Sequence, residues 1–239
     1  MLPPPPPPNS PADAEVQRLS AAYATRAAAA HDSWLEPAYR YMMEDRERHT
    51  LALFAREGLA RLADVRVLEV GCGTGIWLRD LVRWGAGPEN VFGVDLLPDR
   101  VEAARRLVAP GVTVTQSDIS ALQFPNASFD LVIQSTVFSS ILDDDRRRRT
   151  AAEMRRVVRA DGLILWYDFH VNNPRNSNVR AVPRAELTQL FPNCATRMRR
   201  ITLAPPLARA IAPFSTTACD ILSLIPWLRT HTLAAIRPA

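Results

Sequence analysis

The segment VLEVGCGTGIW, residues 67–77, decides the fold. An apolar run interrupted only by Glu69 is followed by glycines at positions 71, 73 and 75. A short run rich in β-branched residues predicts a buried strand. Glycine permits positive φ and lets a ligand approach the main chain closely, and the amides at the start of the next helix then face that ligand. The segment therefore predicts a ligand-binding bend directly after the first strand.

Outward from this bend, strand-like and helix-like segments alternate five times. The predicted helices that separate the strands lie at 75–85, 98–108 and 143–159, and the predicted strands are 65–70, 90–95, 112–116, 129–135 and 162–169. Such alternation predicts a parallel sheet with helices on both faces. Ligands of these sheets bind at the carboxyl ends of the strands. We therefore expect the loops that follow the five strands to carry the function.

The spacing of the glycines indicates the type of ligand. A dinucleotide fingerprint reads G-x-G-x-x-G, whereas here the third glycine comes one residue early. Glu69 adds a carboxylate, which repels pyrophosphate but suits an ammonium group. We therefore expect a nucleoside-like, cationic ligand without phosphate, and a nicotinamide-dependent reductase is disfavoured.

Two further acids follow the next strands. Asp95 ends the second strand, where a carboxylate can accept both ribose hydroxyls. Asp118 follows the third strand and can accept a hydrogen bond from an exocyclic amine, with Ile119 packing on a purine face. Each acid alone is more often a loop cap, and the joint placement at three successive strand ends is the specific signal.

These motifs together resemble the class I S-adenosylmethionine-dependent methyltransferases of small-molecule type. The likeness runs from Val65 to Phe169 and rests on VLEVGCGTG, VFGVD, SDIS and FDLVIQSTVF. It implies an α/β fold with a doubly wound, mostly parallel seven-stranded sheet of Rossmann-like type. The sixth and seventh strands would be 197–203 and 230–238, the last of them antiparallel. N-terminal helices and a helical insertion before the last strand complete the expected architecture.

The resemblance also implies a cofactor site for S-adenosylmethionine, with S-adenosylhomocysteine as its product. The glycine bend would lie along the methionine part, Asp95 would hold the ribose, Asp118 and Ile119 would frame the adenine, and Gln134 would lie near the ammonium group. The full predicted set is Glu69, Gly71, Cys72, Gly73, Gly75, Asp95, Leu96, Asp118, Ile119 and Gln134. No metal site is predicted.

The expected reaction leaves a weak signature in the sequence. Methyl transfer from a sulfonium is an in-line displacement with a neutral leaving group, so a base is needed only when the acceptor keeps its proton. His170, after the fifth strand, is the candidate base because histidine titrates near neutrality, and a structural loop histidine is the equal alternative. Asp168 would orient it or bind the acceptor. Tyr41, Asn172 and Asn173 are the candidate substrate-binding residues.

Composition suggests one main domain with additions at its N-terminus. The expected organisation is a disordered proline-rich tail (1–12), an N-terminal helical cap (13–62) and the cofactor-binding domain (63–239). Within the cap, residues 42–62 have separate charged and apolar faces and predict an amphipathic helix. The apolar segment 204–228 either packs on the sheet or lines an apolar acceptor site, and we favour a partial lid over the acceptor.

Charge and cysteine content restrict the partners. All 29 basic residues are arginine and the net charge is +4. The run at 143–159 is expected to be a solvated helix face rather than a nucleic-acid surface, because no aromatic residues interleave it. Three scattered cysteines, with no secretory or transmembrane pattern, indicate a cytoplasmic protein, a monomer or homodimer without membrane partners.

The function predicted from sequence is methyl transfer to a small-molecule acceptor in a bacterial setting such as specialised metabolism. O-methylation is preferred mildly over N- or C-methylation. Two alternatives stay open. One is an RNA or protein methyltransferase, and the other is a binding protein that keeps the cofactor fold without catalysis.

Overall fold

The computed structural model describes residues 11–28, 33–173 and 176–238. The chain divides into two units, one ending at His31 and one beginning at Asp32. The first unit contains one described helix, α1 (Pro11–Ala28), where the sequence predicts helix from residue 13. Residues 1–10 of the predicted proline-rich tail lie outside the described ranges.

The second unit alternates strands and helices as predicted. Its strands are β1 (Val67–Val70), β2 (Val91–Asp95), β3 (Thr113–Gln116), β4 (Phe129–Ser135), β5 (Val158–Phe169), β6 (Cys194–Leu203) and β7 (Arg229–Pro238). Its helices are α2 (Pro37–Arg56), α3 (Ile76–Arg83), α4 (Pro98–Leu107), α5 (Asp144–Val157), α6 (Arg184–Leu190), α7 (Pro205–Ile211) and α8 (Thr216–Ser223). No described helix combines the length and apolar character needed to traverse a bilayer.

The seven strands form one sheet in the order β3-β2-β1-β4-β5-β7-β6. Strands β1 to β5 pair in parallel, whereas β7 runs antiparallel to both β5 and β6. This confirms the predicted doubly wound α/β sheet and its antiparallel last strand. Because β1 pairs with β2 on one side and β4 on the other, the strand order reverses there. In sheets of this kind ligands bind at the carboxyl ends of the strands where the order reverses, which here is the end of β1.

Each face of the sheet buries its own apolar cluster, because successive strand residues point to opposite faces. Leu68 and Val70 belong to the cluster that α5 covers with Met154. Val67 belongs to the opposite cluster, which includes Leu78 of α3 and Phe54 of α2. Glu69 lies on the same side as Val67, so the acid of β1 is directed toward the helices of that second face.

Helix α2 differs from the predicted helix at 42–62. It begins at Pro37, which fits the first helical turn since proline has no amide hydrogen to lose there. It ends at Arg56, and Gly58 with φ of 82° follows at the position that commonly terminates a helix. Its N-terminal part packs on β6 and α7, because Ala38 and Tyr41 share an apolar cluster with Leu203 and Ala208.

The insertion between β6 and β7 forms helices α7 and α8. Their inward residues, among them Ala212 and Cys219, join the apolar cluster with α2. Four large apolar side chains of this insertion are 62% to 89% exposed, namely Phe214, Ile221, Leu224 and Trp227. The insertion therefore packs against α2 with one face and presents an apolar outer face.

Arg147 corrects the prediction of a solvated α5 face. Its side chain is 1% exposed, donates from Nε to the Ile141 carbonyl at 2.7 Å, and pairs through Nη1 with Glu186 of α6 at 2.6 Å. Nη2 donates to the Arg180 carbonyl at 2.8 Å. The run of four arginines hides this role, since the sequence around each of them is similar while only one faces the core.

Replacing Arg147 by alanine is expected to lower the free energy of unfolding by about 2–4 kcal/mol, because two carbonyls and a carboxylate lose a buried partner. Arg148→Ala is the matched control, since the Arg148 side chain is 65% exposed, and should leave stability nearly unchanged. Urea unfolding of the three proteins measures the difference. Equal stability of the two variants would contradict the assignment of Arg147 to the core.

Candidate functional site

The predicted bend follows β1 at the carboxyl end of the strand. Gly71, Gly73 and Gly75 have φ of 72°, 54° and 77°, values that residues with a side chain rarely adopt. The amides of Gly71 and Cys72 donate to the Val94 carbonyl of β2 at 2.8 and 2.9 Å, which fixes the bend to the neighbouring strand. Gly75 then forms the N-cap of α3.

Space around the bend requires glycine as well. A Cβ atom at Gly71 would collide with the Val137 side chain, and one at Gly73 would lie 2.5 Å from Nη2 of Arg100. At Gly75 the nearest atom would be Cγ1 of Val108, at 3.0 Å. Both backbone angle and packing therefore exclude larger residues from the bend.

Asp95 connects the bend to the end of β2. Its Oδ2 accepts from the Gly73 amide at 2.8 Å, and its Oδ1 accepts from the Leu97 amide at 3.0 Å. A carboxylate has about four acceptor positions, so each oxygen keeps capacity for a further donor such as a ribose hydroxyl. Asp95 is 9% exposed, and Leu96 beside it is half-buried.

Asp118 lies after β3 and is held by α5. Its Oδ1 accepts from the amide and hydroxyl of Ser120, both at 2.8 Å, and from Nη2 of Arg146 at 2.8 Å. All of these bonds, among the residues that are described, converge on Oδ1, so Oδ2 remains available to a ligand amine. Ile119 is 7% exposed and packs into the cluster on the α5 face.

Glu69 is the buried acid of the site. It is 2% exposed, and its Oε2 has no hydrogen-bond partner within the described ranges. Burial raises the pKa of Glu69 well above its ordinary range, while the positive charge of Arg46 lowers it in part. An unpartnered buried carboxyl is costly, and such a group in a native protein usually awaits a ligand or an ordered water.

Gln134 and Cys72 complete the described cofactor set. The Gln134 side chain is buried, accepts from the Val137 amide at 3.2 Å, and approaches the Tyr167 carbonyl at 3.5 Å. It thereby links the ends of β4 and β5. Cys72 is buried, and burial raises the pKa of its thiol, so the side chain is a neutral packing group.

At the end of β5 the two candidate catalytic residues point to different partners. Asp168 is buried and accepts from the amides of Ser139 at 3.1 Å and Phe169 at 2.8 Å, and burial raises its pKa to about 6. Nδ1 of His170 lies 3.4 Å from Oγ1 of Thr232. The described contacts therefore attach Asp168 to the loop after β4 and not to His170.

Burial, followed by the charge of Arg200, lowers the pKa of His170. Its imidazole is therefore neutral at pH 7 and able to accept a proton. Whether it does so in catalysis stays a prediction.

The candidate substrate-binding residues are distributed over two regions. The Tyr41 hydroxyl donates to Asp220 of α8 at 3.2 Å, which ties α2 to the insertion. Asn172 is exposed and its Oδ1 accepts from the Ala181 amide at 2.7 Å, while Asn173 is exposed in the same loop. The structure does not bring Tyr41 together with the two asparagines through any contact among the described residues.

Arginines outside the predicted set of site residues also surround the bend. Arg100 of α4 lies against Gly73, Arg146 of α5 holds Asp118, and Arg46 of α2 acts on Glu69. The sequence signal for them is weak, because each belongs to a helix with many other arginines. Only the tertiary structure selects which of these side chains face the strand ends.

A polar cavity of about 260 Å³ lies elsewhere, between α2, β6 and α8. Asp45 and His49 line it from α2, with Arg199 and Thr202 from β6. None of the predicted site residues lines this cavity, which lies on the β6 side of α2. It is therefore separate from the glycine bend.

Comparison with known proteins finds methyltransferases among the proteins that are similar to this chain. Residues 67–162 match the family described as "Methyltransferase domain". The YcgJ protein from Bacillus subtilis shares the fold with a TM-score of 0.56 and 18% identity, covering 80% of this chain and 99% of that one.

Two curated relatives carry methyltransferase names. The 2-methyl-6-phytyl-1,4-hydroquinone methyltransferase of Synechocystis sp. is 34% identical over 128 residues, 52% of this chain and 38% of that protein. The ubiquinone biosynthesis O-methyltransferase of Methylocella silvestris is 29% identical over 191 residues, 75% of this chain and 70% of that protein. The chain thus spans about two fifths of the first relative and most of the second.

Residues 67–162 are therefore similar to methyltransferase domains, and both curated relatives carry methyltransferase names. The resemblance implies S-adenosylmethionine as the cofactor, and two observations on the residues present fit this cofactor. Positive φ and close packing keep side chains off the bend at positions 71, 73 and 75, and the orphaned Oε2 of Glu69 offers an acceptor for an ammonium group.

Gly71→Ala is expected to destabilise the protein more than Gly58→Ala does. Both residues have positive φ, which costs a residue with a side chain about 1 kcal/mol, but a Cβ at Gly58 meets no atom within 4 Å. The variant at Gly71 adds the collision with Val137, so it should also lose affinity for S-adenosylhomocysteine. Urea unfolding and titration calorimetry measure both effects. Equal behaviour of the two variants would contradict the requirement for glycine at position 71.

Glu69→Gln is expected to change how stability depends on pH. Because the folded pKa of Glu69 is raised above the unfolded value, its contribution to stability is full below the unfolded pKa and is lost as pH rises through the folded pKa. The glutamine variant lacks this loss. The stability of the variant relative to the native protein should therefore increase as pH rises above about 4, where carboxyl groups ordinarily titrate. Urea unfolding at a series of pH values measures the difference. A difference that does not vary with pH would show that Glu69 is not buried as described.

Proposed function

We propose that this protein transfers a methyl group from S-adenosylmethionine to a small apolar molecule, with a hydroxyl oxygen as the preferred acceptor atom. The observation that supports it most is the arrangement at the ends of β1, β2 and β3. There Glu69, Asp95 and Asp118 surround a bend that accepts no side chains. This pattern of acids suits an adenosyl amino acid with a positive charge and no phosphate.

In this proposal the residues of the chain hold and orient rather than react. The cofactor supplies an electrophilic methyl group on a sulfonium. Asp95 would hold the ribose, Asp118 would hold the adenine amine, and the backbone of Gly71–Gly75 would lie along the amino acid part. Fixing donor and acceptor in line provides much of the acceleration of a displacement reaction.

His170 is the proposed base when the acceptor arrives protonated. Its half-buried ring follows β5, at the same edge of the sheet as the glycine bend, and its lowered pKa keeps it neutral. Asp168, with its raised pKa, is instead proposed to hold the loop after β4 through the Ser139 amide. The alternative role for His170, packing against Thr232, predicts no effect on the rate.

The proposed apolar acceptor is supported by two observations. Both curated relatives named above take their names from quinone-type compounds, a hydroquinone and ubiquinone. In this chain the insertion exposes Phe214, Leu224 and Trp227, and exposed apolar surface of this kind often belongs to a binding site. We therefore propose a phenol or hydroquinone as the chemical class of the acceptor.

An RNA or protein acceptor is the second candidate, and the arginines of α5 do not favour it. Arg147 is buried and Arg146 is 12% exposed and paired with Asp118, so the run does not present a continuous basic groove. Substituting all four arginines together would disrupt the core and could not test nucleic-acid binding. We also propose a cytoplasmic location, which the free cysteines Cys72 and Cys194 support.

Asp95→Ala is expected to weaken the binding of S-adenosylhomocysteine by about 2–4 kcal/mol, because two hydrogen bonds to a charged group are lost. Asp99→Ala is the matched control, since Asp99 is exposed in the first turn of α4 and should leave affinity unchanged. Titration calorimetry gives both affinities. Unchanged affinity of the Asp95 variant would place the ribose elsewhere.

Transfer itself is measured by incubating the protein with S-adenosylmethionine labelled in its methyl group and a panel of phenols and hydroquinones. Label should appear in the organic product, and His170→Ala should lower the rate while leaving S-adenosylhomocysteine affinity unchanged. Cofactor binding without transfer to any acceptor of this panel, RNA or protein would favour the non-catalytic alternative.

A further inference from the structure

Three neighbouring side chains beside the glycine bend leave buried polar atoms unsatisfied. Oε2 of Glu69, Nε of Arg46 and Nε1 of Trp77 have no hydrogen-bond partner within the part of the chain that is described. The three residues are 2%, 6% and 3% exposed. Buried polar atoms are nearly always paired in native proteins, so three orphans at one place indicate a missing polar partner.

Arg46 reaches this place from α2, outside the segment that matches the methyltransferase family. Its guanidinium carbon lies 4.5 Å from the centre of the Trp77 ring, and its Nη2 donates to Asp80 of α3 at 3.1 Å. The stacking and the ion pair fix the plane of the guanidinium. A guanidinium carries five N–H donors, so these contacts leave donors for a further acceptor.

Arg46 and Glu69 interact without forming an ion pair. Among the charged groups that act on Glu69, Arg46 contributes the largest favourable effect on its ionisation. Within the described residues, however, the ion pair of Arg46 is with Asp80 and not with Glu69. A buried cation and a buried carboxyl therefore lie close to each other while each keeps an unsatisfied atom.

We propose that Arg46 binds the α-carboxylate of the cofactor's amino acid end, while Glu69 accepts from its α-ammonium group. The inference rests on the proposed function and extends it to a residue of α2. A zwitterionic amino acid presents one acceptor group and one donor group on the same carbon, which matches the two orphaned groups. The guanidinium suits a carboxylate in particular, since its parallel N–H bonds fit the two oxygens.

A cofactor contact at Arg46 would involve helix α2 in ligand binding. Helix α2 packs on β6 and α7 and links to α8 through Tyr41 and Asp220. A ligand contact at Arg46 would connect the cofactor with the helix that supports the insertion. Arg46 would then position the amino acid end of the cofactor and would not take part in the chemical step.

The competing interpretation makes Arg46 a structural partner of Asp80 only. Two ligands distinguish the interpretations, S-adenosylhomocysteine and 5′-methylthioadenosine. They share the adenosine and the thioether, but the second lacks the amino acid carboxylate and ammonium. Loss of a carboxylate contact must therefore affect the first ligand and spare the second.

Titration calorimetry of the native protein and Arg46→Gln with both ligands is the test. We expect the variant to bind S-adenosylhomocysteine about 10- to 100-fold more weakly, the range typical of hydrogen bonds between charged groups. Its affinity for 5′-methylthioadenosine should change by less than about twofold. Arg46→Lys, which keeps the charge but lacks the fork, should show a smaller selective loss and decides the question if the glutamine variant does not fold.

Arg83→Gln is the matched control, because Arg83 also pairs with Asp80, at 3.1 Å, but its side chain is 53% exposed. It should leave both affinities unchanged. An equal loss for both ligands in the Arg46 variants, or no loss for either, overturns the carboxylate assignment while cofactor binding stands. Failure of the native protein to bind either ligand would instead overturn the proposed function.

Discussion

The structure depends on a carboxyl group buried at the end of the central strand. Glu69 occupies a position where the apolar pattern of β1 would otherwise place another valine or leucine, and burial opposes its ionisation. Such a residue destabilises the protein unless something compensates for it. The bend that follows has glycine at positions 71, 73 and 75, so its main chain carries no side chain of its own there. The buried carboxyl of Glu69 and the glycine bend that follows it thus act together in recognising a cation.

The neighbouring strands and helices place further charged groups near Glu69. Asp95 restrains the bend through the Gly73 amide and keeps acceptor capacity, and Asp118 is held by Arg146 of α5. Arg46 of α2 stacks on Trp77 and pairs with Asp80, both of α3. The ends of the parallel strands therefore supply the carboxylates, while helices α2, α4 and α5 supply arginines. The site is balanced in charge although the sequence motifs alone contain only acids.

The sequence predicted the central part of the fold because its signals are local. The bounds of β4, residues 129–135, agree with the prediction, and the positive φ values fall at the glycines that the bend requires. Apolar runs and glycine spacing are properties of adjacent residues. Helix α6 was missed because its seven residues are too short for a clear periodicity. The N-terminal bound of α2 was missed because Ala38 and Tyr41 at its start pack against the insertion, a contact far away in sequence.

Residue roles that depend on tertiary contacts were less accessible. Nothing near Arg147 in the sequence separates it from Arg148, yet one is buried and the other exposed. Asp168 and His170 are two residues apart and were expected to act together, but Asp168 accepts from the Ser139 amide, whereas His170, just past the end of β5, contacts Thr232 of β7. The roles of single arginines and of residues close together in sequence can thus be assigned only from the three-dimensional structure. The strand ends and their carboxylates can be located from the sequence.

The central claim is that the bend after β1 seats an adenosyl amino acid. A crystal structure of the protein with S-adenosylhomocysteine tests it most directly. The account predicts electron density for the amino acid part along Gly71–Gly75, with its nitrogen beside Glu69 and its ribose beside Asp95. Density for the ligand in the cavity between α2, β6 and α8, or at any place away from the bend, would contradict it.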